Sequence, residues 1–491
     1  MTTLPLMTEP ELHRLPPVDD GCFGSLSTAR GHLPLEAMAI DARITGLVAS
    51  VELQQTFVNT LDEAIEATYI FPLPDRAAVT RFRLQVGERL VEGRIAERGQ
   101  ARLDYEQAIT AGHRAAITEE ERPGTFTMRV GNLMPGDRAV VRLSLTGPLP
   151  IEDGEVTFRF PLVVAPRYMP GTALGGTDVG QGVAHDTDAV PDASRISPPI
   201  LLPGYPNPVR LSLRVDLDSA GLPMRELRSS LHSVCETGTG NRRRVELQPG
   251  ERLDRDFILR FRVGDDAVRT SLVLAPDAEG DEGTFMLTLV PPSREVEPQK
   301  PRDVIFVLDR SGSMGGWKMV AARRAAARMV DTLNDADRFA VYAFDDRLET
   351  PPAFAGDDLV QASDRNRFRA VEFLATLEAR GGTEMAHPLG RAAQRLAGGY
   401  DERDRILVLV TDGQVGNEDQ IVKSLGTKLK NVRVFTLGVD RAVNEGFLRR
   451  LAVLGGGACE LVESEDRLDE VMDRIHRRIA TPIITEVTIE A

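Results

Sequence analysis

Three short stretches of the chain carry side-chain oxygens that could gather around a hard cation. The first is DVIFVLDRSGSMGG at 303–316, where an apolar run ends in Asp309-x-Ser311-x-Ser313 and a pair of glycines. The second, ARGGTEM, presents Thr383 after two glycines, and the third, RILVLVTDG, ends its apolar run in Thr411-Asp412-Gly413. Two carboxylates and three hydroxyls without histidine or cysteine disfavour zinc. They suit magnesium, which takes oxygen ligands in near-octahedral array at about 2.0–2.1 Å and tends to keep water. Hydroxyls two residues apart can face one way from a turn, and glycine lets the backbone come close. Any one of these residues has a plainer explanation, since Ser313 is a candidate N-cap for a helix starting near Trp317. Five of them at three strand edges argue for one shared site: Asp309, Ser311, Ser313, Thr383 and Asp412.

Positioning them requires strands that end at a common edge. From Pro301 to about Ala480, nearly all-apolar runs alternate with amphipathic stretches. The spacing predicts helices near 317–333, 365–378, 387–396, 419–430, 444–453 and 466–479. Apolar strands separated by helices imply a parallel sheet covered on both faces, a doubly wound (Rossmann-like) α/β domain over 301–480. Ligands of such sheets sit beyond the carboxyl ends of the strands, where the strand order reverses.

A chain of 491 residues is long enough for roughly three domains of about 150 residues each. After an N-terminal segment, 1–34, residues 35–150 read as β-rich, interrupted by a helix that places Ala101, Tyr105 and Ala108 on one face and stops at Gly112. Residues 151–300 read as a second β-rich block, an intervening β-sandwich with a long Gly/Pro-rich excursion at 168–208. The strand-like ITEVTIEA in 481–491 is expected to return to that sandwich, with Ala491 a place where more protein could follow. A net charge of −15 argues against nucleic acid as a partner, because phosphate binding needs a basic face. The first lysine is Lys300, a bias towards arginine that fits a GC-rich genome and implies no chemistry. Cys22, Cys235 and Cys459 form neither a disulfide framework nor a CxxC pair and are expected to be reduced thiols. No apolar run reaches the ~18 residues of a membrane span, nor does residue 1–30 hold a signal-peptide core, so a cytoplasmic chain without a membrane segment is expected.

LDRSGSM, GGTEM and VTDG together resemble the metal-ion-dependent adhesion site of von Willebrand factor type A domains over roughly 301–480. The resemblance implies that Ser311 and Ser313 touch the metal, that Thr383 does so in the ligand-bound form, and that Asp309 and Asp412 act through water. It also implies that an Asp or Glu of a protein partner fills the sixth position. ARITGLVASVELQQTFVN, EATYIFPLP, EGRIAERGQARLDYEQAITAGHRAA and ERPGTFTMRVGNLMPG resemble the vault protein inter-alpha-trypsin (VIT) domain. VIT followed by a type A domain is the layout of inter-alpha-trypsin inhibitor heavy chains and of many bacterial proteins.

Other candidates are weaker. His232 and Cys235 form a lone HxxC, too few ligands to close a zinc site. Asp186, Asp188 and Asp192 could hold calcium in a loop, but the run lacks the glycine and terminal glutamate of an EF-hand, and a solvated loop is the plainer reading. GGTDVG at 175–180 imitates the Thr383 loop without a preceding strand. No GxxxxGK[ST] or GxSxG occurs, and His387 reads as a surface or cap residue rather than a base for Ser311. Trp317 reads first as a packing residue of its helix and second as a rim contact for a partner. Two functions follow. The favoured one is a non-enzymatic, magnesium-dependent protein-binding module, with manganese or calcium as alternative ions. The other is a magnesium-dependent hydrolase or phosphoryl-transfer enzyme using the same ion, against which stands the lack of a general base and of any nearby lysine except Lys318. A duller possibility is that the ion only stabilises the fold and the VIT region does the binding.

Overall fold

The computed structural model describes residues 23–480 apart from 29–30, 60, 95, 114, 164, 181, 199, 202–208, 264–268, 278–281, 291–299, 355–357 and 398–402. The strand expected at 484–491 lies outside the described residues. The chain divides into two compact units, Met1–Pro166 with Ala173–Ser293, and Arg167–Thr172 with Arg294–Ala491.

The first unit is built almost wholly of strands. Val48–Val58 alternates buried and outward residues along its length, as a strand covered on one face must. It sits between Gly31–Thr45 and Arg138–Pro148, antiparallel to both. Gly31–Thr45 pairs in parallel with Arg210–Asp218, starting at Ala37 opposite Arg210, so strands from before and after residue 150 share a sheet. Arg242–Leu247 and Val234–Thr239 extend that side. A second sheet joins Ile151–Glu152, Glu155–Phe160, Phe257–Val263 and Met224–Ser229. The helix Arg98–Thr110 starts where the Glu97 carboxylate accepts the N–H groups of Gly99 and Gln100 at 2.9 Å. Its buried Tyr105 donates to Glu66 at 2.9 Å.

The second unit is the predicted doubly wound domain. Its strands are β1 (Arg302–Asp309), β2 (Arg338–Phe344), β3 (Asp404–Thr411), β4 (Arg433–Val439) and β5 (Cys459–Val462). They lie in the order β2-β1-β3-β4-β5, every neighbouring pair parallel, with Leu348–Glu349 antiparallel at the β2 edge. The order reverses at β1, whose neighbours are β2 and β3. All eight residues of β1 are buried, and alternate side chains go to opposite faces. Val304, Phe306 and Leu308 join a core with helices α1 (Trp317–Asp331), α2 (Asp364–Thr376) and α6 (Glu465–Ala480). Ile305 and Val307 join another with α3 (Ala386–Ala397), α4 (Glu418–Leu425) and α5 (Glu445–Leu454). Helix α4 stops at Leu425, five residues before its expected end, and the chain continues in turns. Among the described residues no helix is long and apolar enough to cross a membrane.

Candidate metal centre

Asp309 is the last residue of β1, and Asp412 follows the last residue of β3, so two carboxylates end adjacent parallel strands where the order reverses. Both are completely buried. Asp309 Oδ1 accepts the Ser311 N–H at 2.8 Å, and its Oδ2 accepts the Thr411 hydroxyl at 2.6 Å. Ser311 is buried and Ser313 exposed, with their hydroxyls 3.1 Å apart. Ser313 is not the cap of α1. It lies in a single 3-10 turn, Gly312–Met314, and Gly316 at φ +68° occupies the N-cap position. Met314 drives the turn into the core, leaving the two serines at the strand end.

The loop of buried Thr383 is tied to this turn through the backbone: the Gly312 N–H donates to the Gly381 carbonyl at 3.0 Å and the Arg380 N–H to the Arg310 carbonyl at 2.7 Å. On the other side, Asp412 Oδ1 accepts the Gln414 N–H at 3.1 Å, and its carbonyl accepts the Asn444 N–H at 3.1 Å. Gly413 turns at φ +76°, and a side chain there would press against Leu448 and Asn444. All five candidates therefore lie on three loops at one edge of the sheet, two of them joined by backbone hydrogen bonds.

Two further charged groups, not singled out from the sequence as part of the site, complete the picture. Asp440, directly after β4, and Lys318, in the first turn of α1, are both buried. Lys318 Nζ lies 3.3 Å from Asp440 Oδ2 and 3.8 Å from Asp412 Oδ2. The signal for Asp440 was present in VFTLGVD, a third apolar run ending in an acid, but no partner residue near it in sequence marked it.

The donor set fits a dication. Asp412 Oδ2 is buried and accepts no hydrogen bond, with only the Lys318 ammonium 3.8 Å away, a costly state for a carboxylate oxygen that a closer cation would relieve. Burial, then the neighbouring Asp412 charge, push the Asp309 carboxyl up to about 7, as like charges do when nothing neutralises them. Lys318 supplies one positive charge shared between Asp440 and Asp412, so three carboxylates and one ammonium leave the charge of one divalent ion to be supplied. Asp440 itself is raised to about 6, chiefly by burial.

The sign of the resulting pH dependence follows. With its folded pKa above the unfolded value near 3.9, the folded chain holds the Asp309 proton more tightly, so this group's contribution falls as pH rises from about 4 to about 7. Stripped of metal, wild type is expected to lose stability relative to Asp309→Asn across that window, by about 2–4 kcal/mol, and to run parallel with it above pH 8. Urea melts in EDTA at several pH values measure this. A constant difference between the two proteins would contradict it.

The rejected candidates are occupied otherwise. Asp186, expected in a solvated loop, is buried: its Oδ1 accepts the Ser194 N–H and hydroxyl at 2.9 and 2.7 Å, and its Oδ2 the Val179 N–H at 2.7 Å. Asp192 pairs with Arg122 at 2.6 Å, and Asp178 of the Thr383-loop look-alike accepts the Asp186 N–H at 3.0 Å. His232 is buried with Nε2 3.4 Å from the Arg252 carbonyl, while Cys235 is exposed. His387 is exposed, and Trp317 packs half-buried on the β1 core. Among the described residues no group of three His, Cys, Asp or Glu is placed to hold a metal, so any ion site relies on hydroxyls as well as carboxylates.

Strand order, the reversal at β1 and the three loops define a von Willebrand factor type A domain, and residues 303–474 match that family. Residues 35–145 match the vault protein inter-alpha-trypsin domain, so the chain carries both. It is 25% identical, over 95% of its length, to the human von Willebrand factor A domain-containing protein 5A, of which it spans 59%. It is also 25% identical to the mouse protein mono-ADP-ribosyltransferase PARP4, over 89% of this chain and 21% of that one. Against the mouse inter alpha-trypsin inhibitor, heavy chain 4, it is 23% identical over 93% of its length and 46% of the relative's. The chain thus covers between about a fifth and three fifths of these relatives.

Proposed function

We propose that the type A domain is a non-enzymatic binding module in which Asp309, Ser311, Ser313, Thr383 and Asp412 hold a divalent cation, magnesium first among the candidates, and an Asp or Glu of a partner protein completes its shell. The observation that carries this is the Asp309–Asp412 pair: two fully buried carboxylates at the ends of adjacent strands, one of them with an oxygen that no donor satisfies. A bound dication would supply an electrophilic point for an acidic side chain. The protein's part is to hold the ligand oxygens and keep the turn 312–314 in place. Asp309, with both oxygens already accepting from Ser311 and Thr411, is suited to act through bound water, while Asp412 Oδ2 is open to closer contact. Against turnover, the Ser311 hydroxyl faces another hydroxyl rather than a base, and Lys318 is engaged by Asp440 and Asp412. The transferase activity named for one relative belongs to a protein of which this chain covers 21%, and it is not carried over.

Immobilised full chain incubated with lysate in magnesium is expected to retain proteins that EDTA elutes and that Asp412→Ala fails to capture. Retention of the same proteins in EDTA, or by Asp412→Ala, would sink the proposal.

A further inference from the structure

Residues Arg167–Thr172 lie far upstream of the matched 303–474 span, yet they belong to the same compact unit. Tyr168 forms a parallel bridge with Val415. Its N–H donates to the Gln414 carbonyl at 3.0 Å, and its carbonyl accepts the Gly416 N–H at 2.9 Å. That pins its backbone to the loop that begins at Asp412. Its side chain reaches the other loop. The ring lies over Gly382, where an added methyl would stand 2.5 Å from Asp346 Oδ1 and 2.8 and 2.9 Å from two ring carbons, and its hydroxyl donates to Glu384 Oε1 at 3.1 Å. One aromatic residue thus touches both sequence neighbours of Thr383.

Arg167 makes the second link. Its Nη1 donates to Glu418 Oε1 at 2.6 Å, and Glu418 is almost wholly buried. The same oxygen accepts from Asn444 Nδ2 at 2.8 Å, and Asn444 in turn donates through its N–H to the Asp412 carbonyl and through Nδ2 to the Gly413 carbonyl, both at 3.1 Å. A chain of hydrogen bonds, charge-assisted at Glu418, therefore runs from Arg167 to the backbone of the residue carrying the open carboxylate oxygen.

We infer that Arg167 and Tyr168 are positioning residues of the metal centre: a strap that sets the separation of the Thr383 loop from the Asp412 loop. The inference rests on the metal-binding reading above and deepens it. An octahedral magnesium shell tolerates ligand displacements of only about 0.2 Å, so groups that fix the loops act on affinity without touching the ion. Loss of such outer partners typically costs about 10–100-fold in metal affinity.

A strap that merely stabilised the fold would leave affinity alone, and this separates the two roles. Magnesium alone is titrated calorimetrically into the full chain and its variants. Tyr168→Ala is expected to weaken the Kd by about 10-fold or more. Gly382→Ala, whose methyl crowds the ring and also Asp346 Oδ1, is expected to weaken binding as well. Tyr168→Phe keeps the ring on Gly382 and is expected to restore most of the affinity. Should Tyr168→Ala not fold, Arg167→Ala carries the comparison. Magnesium affinities for all variants within twofold of a wild type that binds one ion overturn the strap and leave the metal site standing. A wild type that binds no magnesium overturns both.

Discussion

Replacing Asp309 with asparagine is expected to abolish measurable magnesium binding while raising, not lowering, the melting temperature of the metal-free protein. The two effects have one cause. Asp309 and Asp412 are fully buried at the ends of neighbouring strands, and the charge of one raises the proton affinity of the other. Without an ion, that repulsion and the burial of charge oppose folding. With an ion, the same charges hold it. Asparagine keeps an oxygen to accept the Ser311 N–H, while its amide would donate to the Thr411 oxygen, reversing that bond and leaving the Thr411 hydroxyl proton to find another acceptor. What disappears is half of the negative charge available to a dication. Affinity is expected to fall by at least about 100-fold, more than for loss of an outer partner. Calorimetry with magnesium and melting curves in EDTA read the two effects separately. A variant that still binds magnesium within tenfold of wild type removes Asp309 from the site, and one that melts lower in EDTA removes the repulsion.

The largest effect on stability is expected at the far end of the same strand. Asp337, fully buried before β2, receives Arg302 three times, from its N–H at 2.9 Å, its Nε at 3.2 Å and its Nη2 at 2.6 Å. It also receives the Asn334 N–H at 3.0 Å. Asp337→Ala strands the Arg302 guanidinium among apolar strands with its best acceptor gone. Breaking one partner of such a buried pair costs about 3–5 kcal/mol, against the fraction of that figure typical of exposed pairs. In a unit of this size, about 2–4 °C of melting temperature goes with each kcal/mol. Magnesium affinity, measured where the variant is still folded, should not change, because the substitution lies at the opposite edge of the sheet from Asp412. A loss below about 1 kcal/mol in urea would mean that water or another group readily replaces the carboxylate.

Much of the second unit is legible in the sequence. Strands buried on both faces are apolar through their middle, as β1, β3 and β4 are, so their ends and the acids there stand out. The helices were legible for the complementary reason, a single apolar stripe on each. Where an apolar run did not lead, the sequence was silent. The strand Arg242–Leu247 begins with three arginines, because Arg242 and Arg244 face Asp218 and Asp216 directly across the ladder, at 3.0 and 2.6 Å. Its side chains answer charge rather than core, and no hydrophobic alternation reveals it. Asp186 departs from the sequence expectation for a related reason. An acid in a run of Gly, Pro and Ser looks solvated, but here its oxygens organise the backbone of that run. Within the site, the five oxygen-bearing residues were each visible beside a strand end or a glycine pair. Lys318 was noted only as a neighbour, and Asp440 not at all, because their pairing crosses 122 positions. Tyr168 and Arg167, in an irregular stretch far from either loop, left no local trace of where they would dock.

That docking has a practical corollary for dissecting the protein. A fragment cut to begin near residue 300 would contain every oxygen proposed to meet the ion, and a sequence comparison would judge it whole. It would nonetheless lack the tyrosine over Gly382 and the guanidinium at Glu418. Adding a synthetic peptide spanning 165–173 back to such a fragment is the simplest way to learn how much of its behaviour was left on the discarded side of the cut.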